Sequence, residues 1–274
     1  MISVNTNSGA MVAMQTLKQT NSDLAKAQNA ISTGLKVASA KDNGALYAIA
    51  NKMRSDVTAY DRVRESTDRA ASILDTGIAA GESIMELLNE MKGKALAASQ
   101  AGLSAGSQDA LNADFAQLRD QITSIGANAS FDGANMIGAT PASAIALGDS
   151  AGGNTITVAG ASLALGGGTI TVTGASVLTS AAAATTALGL VNASIDALGT
   201  QLATWGAGAK RLEVHRTFVG KLQDALTSGI GSIADADLAK ESAKLQALQV
   251  KQQLGVQALS IANGSSQTAL SLFR

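Results

Sequence analysis

Apolar residues recur at steps of three and four along most of this 274-residue chain, the spacing of helices that each bury one stripe. Near the amino end Leu17, Leu24 and Ile31 stand seven apart, with Ala10, Met14 and Ala27 on the same side. Near the carboxyl end Leu238, Leu245, Leu259 and Phe273 recur at multiples of seven. Leu248, Ala262 and Ala269 supply the intervening steps, and Gln252 and Ser266 interrupt them. Seams of this kind predict two coiled-coil helices that pair with each other. A single stripe holds about ten apolar side chains, each worth roughly 1.5 to 3 kcal/mol when fully buried. Ordering the backbone opposes this at roughly 1 to 2 kcal/mol per residue over some 30 residues. Either helix alone is therefore marginal, and the pattern predicts that both order against partners. Leu17, Leu24, Ile31, Leu238, Leu245, Leu248, Leu259 and Phe273 form the expected interface between copies.

Between these ends the pattern predicts three more helices. Leu46, Ile49, Met53, Tyr60, Val63, Thr67, Ala70, Leu74, Gly77, Gly81, Ile84, Leu88, Met91 and Ala95 form the longest seam. At 1.5 Å per residue such a helix is a rod of roughly 80 Å. Gly77, Gly81 and Gly93 each weaken it by about 1 kcal/mol relative to alanine, so tight packing against other helices is expected there. Gly102 to Gly106 breaks the rod. Leu111, Phe115, Leu118, Ile122 and Ile125 then alternate four and three. A further seam runs through Leu188, Val191, Ile195, Leu198, Leu202, Trp205, Ala209, Leu212, Val219, Leu226, Ile230 and Ile233. Thr33-Gly34 is a helix stop and Asp42-Asn43-Gly44 a helix start, so 35–43 reads as a connector. Thr155 to Leu163 is repeated fourteen residues later as Thr169 to Val177, with β-branched alternation before a glycine in both copies. This predicts a small β element of hairpin type. The fold class is thus mainly α: an elongated antiparallel bundle with paired terminal coiled-coil helices and a small β-rich outer segment.

Charge sharpens the division. Residues 1–132 carry 26 charged side chains, 133–209 only Asp149 and Asp196, and 210–274 thirteen. Expected domains are 1–43, 44–132, 133–180, 181–234 and 235–274. Aromatics make up only 3% of the chain, so its core is built from aliphatic side chains and is expected to be long and thin. Net charge is −1, and Asp61, Glu65 and Asp68 interleave with Arg62, Arg64 and Arg69. No nucleic-acid partner is expected from such a balance. Nor is membrane insertion, because no run reads as a strongly apolar span. No secretory leader is read at the amino end.

Chemistry is sparse. There is no cysteine and a single histidine, His215, which reads as a helix-surface residue. No phosphate loop or zinc-helix motif occurs, so the chain is expected to be no enzyme and to need no cofactor or metal. Glu82, Glu86 and Glu90 form an i, i+4 row of like charge that needs a cationic partner across an assembly contact. Lys92, Lys94, Lys210, Arg211 and Arg216 are its candidates.

The segment Ser32-Thr33-Gly34-Leu35-Lys36-Val37-Ala38-Ser39-Ala40-Lys41-Asp42-Asn43-Gly44-Ala45 resembles the amino-terminal signature of bacterial flagellins, and Val4-Asn5-Thr6-Asn7 resembles their opening. Ile233 to Ser242, Ser260-Ile261-Ala262-Asn263 and Leu270-Ser271-Leu272-Phe273-Arg274 are similar to the family's ending, and Phe131-Asp132-Gly133 to its turn into the outer region. The short alanine-rich form is most similar to alphaproteobacterial members. The resemblance implies an extracellular subunit of the flagellar filament, exported by the flagellar secretion apparatus with a chaperone and without a cleaved signal peptide. Copies would assemble under a filament cap, next to hook-associated proteins and with paralogous flagellins. Terminal helices would form an inner tube, the bundle an outer tube and the middle segment the surface. The alternative reading is a hook-filament junction protein, whose ends are similar.

Overall fold

The computed structural model describes residues 6–271, with side chains as far as residue 264. Its elements are α1 (Ser8–Thr33), α2 (Gly44–Ala98), α3 (Ala105–Asn128), β1 (Ala144–Leu147), β2 (Thr155–Val158), α4 (Ala181–Ala234) and α5 (Leu238–Ser271). Packing divides the chain into two units, 1–55 with 224–274 and 56–223. The division falls inside α2 and α4 rather than at the connectors, so each long helix contributes turns to both units.

From Val63 onward the predicted seam of α2 is realised residue by residue, while Tyr60 is half-buried and Ile49, nearer the helix start, is exposed. Val63, Thr67, Ala70, Leu74, Gly77, Gly81, Ile84, Leu88, Met91, Ala95 and Ala98 are all buried. Phe115, Leu118 and Ile122 of α3 and Ala184, Val191, Leu198, Trp205 and Leu212 of α4 join them in the core, and Met136, Ile137, Leu163 and Leu178 of the intervening segment add to it. On α4 the sequence pattern placed weight on Leu188, Ile195, Leu202 and Ala209, which are half-buried. The fully buried companions are the small residues Ala187, Ser194 and Gly208. Helices that meet through small residues approach closely, and the larger side chains then flank the seam. Gly81 shows this directly: a Cβ there would stand 2.9 Å from Leu202 Cδ2 and 3.5 Å from the Trp205 ring. Contact at this glycine compensates for its low helix propensity. The sequence reading of no apolar span needs one correction. An 18-residue window of α4 reaches a mean hydropathy of 1.3, enough by length and composition to cross a membrane. In the fold 28% of that window is buried.

The charge-poor segment is fastened to this bundle by backbone contacts. Asp132 and Gly133 both have positive φ, 48° and 76°, and Phe131 bridges Ala134 across them in a tight primed turn. Strands β1 and β2 pair antiparallel, with Ala144 opposite Val158 and Leu147 opposite Thr155. The expected hairpin therefore uses only the first copy of the repeat. The second copy forms no strand and lies on α4 instead, with Ile170 and Val172 buried. Its backbone is satisfied there: Thr171 N donates to Ser194 Oγ at 2.9 Å, and Thr171 Oγ1 donates to the Leu190 carbonyl at 2.8 Å. Trp205 is fully buried and donates its indole N–H to the Ala159 carbonyl at 2.9 Å. Gln108 donates to the carbonyls of Ala98 and Leu178. With two strands of four residues, the segment is held by these bonds more than by its own sheet.

In the terminal unit α1 and α5 run antiparallel. Asn7 Nδ2 donates to the Ala262 carbonyl at 2.8 Å, Gln252 Nε2 donates to Asn21 Oδ1 at 2.8 Å, and Leu35 bridges Asp235. Asn7 also caps α1 by accepting from Ala10 N at 3.0 Å, so one side chain both starts the helix and ties it to its partner. Gly34 closes α1 with φ 70°, the left-handed stop expected from Thr33-Gly34. Lys36 N then donates to the Ala234 carbonyl at 2.7 Å and Ala236 N to the Gly34 carbonyl at 2.9 Å. Asn43 caps α2 through Leu46 N at 3.1 Å, and Asp237 caps α5 through Lys240 N at 3.1 Å.

Candidate assembly interface

The eight residues expected to carry assembly divide by burial. Leu17, Leu24, Ile31, Leu245 and Leu259 are half-buried in the α1–α5 seam, and Leu248 is buried. Leu238, the first residue of α5, is 50% exposed. Phe273 lies outside the described residues. Met14, placed with the seam by the sequence pattern, is also exposed. The fully buried positions of α1 are Thr20 and Ala27, so its contact stripe is narrow and partly polar. Leu17 packs over Gly255: a Cβ on that glycine would stand 3.2 Å from Leu17 Cδ1. Gln252, read as an interruption of the seam, is used in it through its bond to Asn21.

Outside the seam, α5 has a second apolar side that the sequence reading missed. Val250, Leu254 and Ile261 are 55%, 57% and 74% exposed. At 100° per residue they fall within one narrow stripe opposite Leu248, Gln252 and Leu259. Val256 is exposed on a flank, and Met11 and Val12 are exposed at the start of α1. Asn7 and Ala262 meet at that same end of the pair. The missed signal was a helix apolar on two sides, which a search for one stripe reduces to a single seam.

Glu82, Glu86 and Glu90 are exposed on α2. None is within an ion pair among the described residues. Four of their five candidate partners are engaged elsewhere. Lys94 pairs with Asp114 at 2.5 Å, Lys210 with Glu213 at 2.7 Å and Arg216 with Asp68 at 3.0 Å, while Arg211 donates to the Thr157 carbonyl at 2.8 Å. The hydrogen bond from Lys94 to Asp114 raises the lysine's pKa, and the one from Lys210 lowers that of Glu213. These cations secure the bundle surface. Lys92 remains, but it sits about 200° around α2 from Glu90 and cannot serve the same row.

A cavity of about 450 Å³ opens beside the 35–43 connector, lined by Lys26, Lys36, Lys41, Asp42, Glu241 and Lys244 among others. Lys244 pairs with Glu241 at 3.1 Å. Asp42 accepts from Ser39 N at 2.9 Å and Ser39 Oγ at 3.0 Å. The backbone bond first, then the hydroxyl, lowers the Asp42 pKa. His215 is half-buried on α4 with its ring 6.4 Å from that of Phe218, and its Nε2 is shielded without a hydrogen-bond partner.

Residues 4–141 match the family model of the bacterial flagellin N-terminal helical region, and residues 188–273 that of the C-terminal helical region. Flagellin FljN of Caulobacter vibrioides is 50% identical over 272 residues, covering 99% of this chain and 98% of that one. Flagellin FljM of the same organism is 48% identical with the same coverage. A flagellin of Brucella melitensis is 38% identical with both chains fully covered. Among solved structures, Bacillus cereus flagellin aligns with a TM-score of 0.50 at 26% identity, over 56% of this chain and 88% of that one.

Proposed function

This chain belongs to the bacterial flagellin family, and on that premise we propose that copies join through the outward apolar side of the α1–α5 pair. The chain is a structural subunit of the bacterial flagellar filament and self-assembles with copies of itself and paralogous flagellins. Its place of action is the extracellular filament. The observation that supports the proposed interface is the exposed Val250, Leu254 and Ile261 stripe, opposite a seam already used inside the chain. Apolar side chains gain about 1.5 to 3 kcal/mol each on full burial, so a polymer that covers this stripe is favoured over the free subunit.

The seam residues Leu17, Leu24, Ile31, Leu245, Leu248 and Leu259 pair α1 with α5 as copies join and so present that stripe, with Leu238 and Phe273 completing the interface. Functional division follows: 1–43 and 235–274 line the inner tube, 44–132 and 181–234 form the outer tube, and 133–180 faces solvent. Narrow terminal packing also suits export of an unfolded chain through the flagellar secretion apparatus with a chaperone, and addition under a cap beyond the hook-associated proteins. The role is architectural and needs no catalysis. Deleting Asp237 to Arg274 tests the interface. The truncated chain stays soluble with its 56–223 unit folded and forms no sedimentable fibres, whereas continued fibre growth overturns the proposal.

A further inference from the structure

Two charged surfaces of this chain carry an excess of one sign and are complementary. One is the Glu82, Glu86 and Glu90 row, which spans about 12 Å of α2. The other is the cavity beside the 35–43 connector. Of the charges around that cavity, Glu241 is taken by Lys244, and Asp42 is turned to the Ser39 backbone and hydroxyl. Lys26, Lys36 and Lys41 stand around one concavity with no ion pair among the described residues, although Lys26 is near enough to Asp42 to help lower its pKa. Cavities beside α2 and α4 differ, because their cations are balanced by Asp61, Glu65, Asp68, Asp75 and Glu213. The connector cavity has a net positive lining; the glutamate row has three carboxylates, with Lys94 one turn beyond Glu90 and paired to Asp114.

In an assembly of identical chains, every copy presents both surfaces. We propose that the Lys26, Lys36 and Lys41 cleft of one subunit receives the Glu82, Glu86 and Glu90 face of α2 from a second copy. This rests on the filament-subunit reading and deepens it by naming an electrostatic contact separate from the apolar one. Opposite charges set register and orientation between copies, while like charges brought together oppose wrong docking. The contact is exposed at its rim, so it weakens as salt shortens the screening length.

Charge exchange tests the pairing. Three full-length proteins are compared with the unaltered chain: E82K/E86K/E90K, K26E/K36E/K41E, and the combination of all six changes. Thermal unfolding first shows that each is folded, which exposed positions permit. Seeded polymerisation at about 50 mM salt, near a screening length of roughly 14 Å, then gives critical concentrations. Each single-sided reversal is expected to raise the critical concentration at least tenfold, and the combination to restore it within about threefold. A combined variant no better than the single-sided ones overturns the proposal, as does either single-sided variant assembling like the unaltered chain. Failure of the unaltered chain to polymerise would instead strike the filament-subunit reading.

A second measurement does not depend on charge reversal being tolerated. The chain has no cysteine, so K36C/E86C introduces the sole thiol pair. Oxidised filaments of this variant are expected to give covalent multimers that K36C alone and E86C alone do not give beyond dimers. Absence of multimers from well-formed filaments counts against the contact.

Discussion

The 56–223 unit and the terminal unit are built from the same three-and-four apolar spacing, yet they use it differently. In the first, α2, α3 and α4 turn their stripes to a shared core and close it with Trp205, Phe115 and aliphatic side chains. Large exposed apolar residues on its helices are Leu96 of α2 and the pair Val214 and Phe218, neighbours one turn apart on α4. In the terminal unit the seam is closed by Thr20, Ala27 and Leu248, and larger side chains are only half-covered. Its exposed apolar residues instead gather into a stripe on α5 and a cluster at the start of α1. Apolar periodicity thus does not separate a finished core from an assembly surface. The separating quantity is the extent of apolar surface opposite the stripe: the single Val214–Phe218 pair on α4 in the first unit, and a run from Val250 to Ile261 on α5 in the second.

The sharpest way to break that contrast is to make the outer stripe polar. Leu254→Ser with Ile261→Ser is expected to raise the critical concentration for filament growth by at least 100-fold while leaving thermal unfolding of the free subunit unchanged. Both side chains are already exposed there. An equal loss of monomer stability would mean that the stripe is covered within the chain. Trp205→Ala addresses the other unit and should cost about 3 to 5 kcal/mol, read as a lowered denaturant midpoint. The cost has two sources, a large cavity and the loss of the hydrogen bond to Ala159. Gly81→Ala places a Cβ against Leu202 and should cost about 1 to 3 kcal/mol, reversing the gain that alanine brings to an open helix. Ser194→Ala leaves Thr171 N without its acceptor and should cost about 1 to 3 kcal/mol.

The smallest expected effect concerns Asp42 in the connector. Its pKa is lowered by the bond from Ser39 N and then by the Ser39 hydroxyl. Because the shift is downward, its contribution to ordering the connector is complete above the ordinary carboxylate range and is lost as pH falls through the lowered value. NMR titration should place the Asp42 midpoint below that of an unstructured aspartate, and Ser39→Ala should move it part of the way back.

Much of this fold is legible in the sequence. The α2 seam from Val63 to Ala95, the Gly34 stop and the Asn43 start follow from rules acting over a few residues. Elements decided by distant contacts were harder to read. The repeated Thr-Ile-Thr-Val segments are locally alike, but β1 selects the first and Ser194 of α4 the second. Buried Ser194 and Gly208 escape a hydrophobic reading because their value lies in smallness. At the assembly surface Leu17, Leu24, Ile31 and Leu248 were visible as a seam, whereas Val250, Leu254 and Ile261 were hidden by the seam beside them. The glutamate row was evident, but most of its expected cations are engaged by contacts such as Lys94–Asp114 that only the packed helices bring together.

Hydrogen exchange of the full-length chain, measured as dilute monomer and as filament, tests the central claim most directly. Amides of Ser8–Thr33 and Leu238–Ser271 are expected to exchange readily in the monomer and to gain strong protection in the filament. Amides of the α2 and α4 core turns, around Leu74 to Met91 and Val191 to Leu212, should be protected in both. Terminal helices as protected in the dilute monomer as the bundle core would contradict the account, because their burial would then be complete before any second copy arrives.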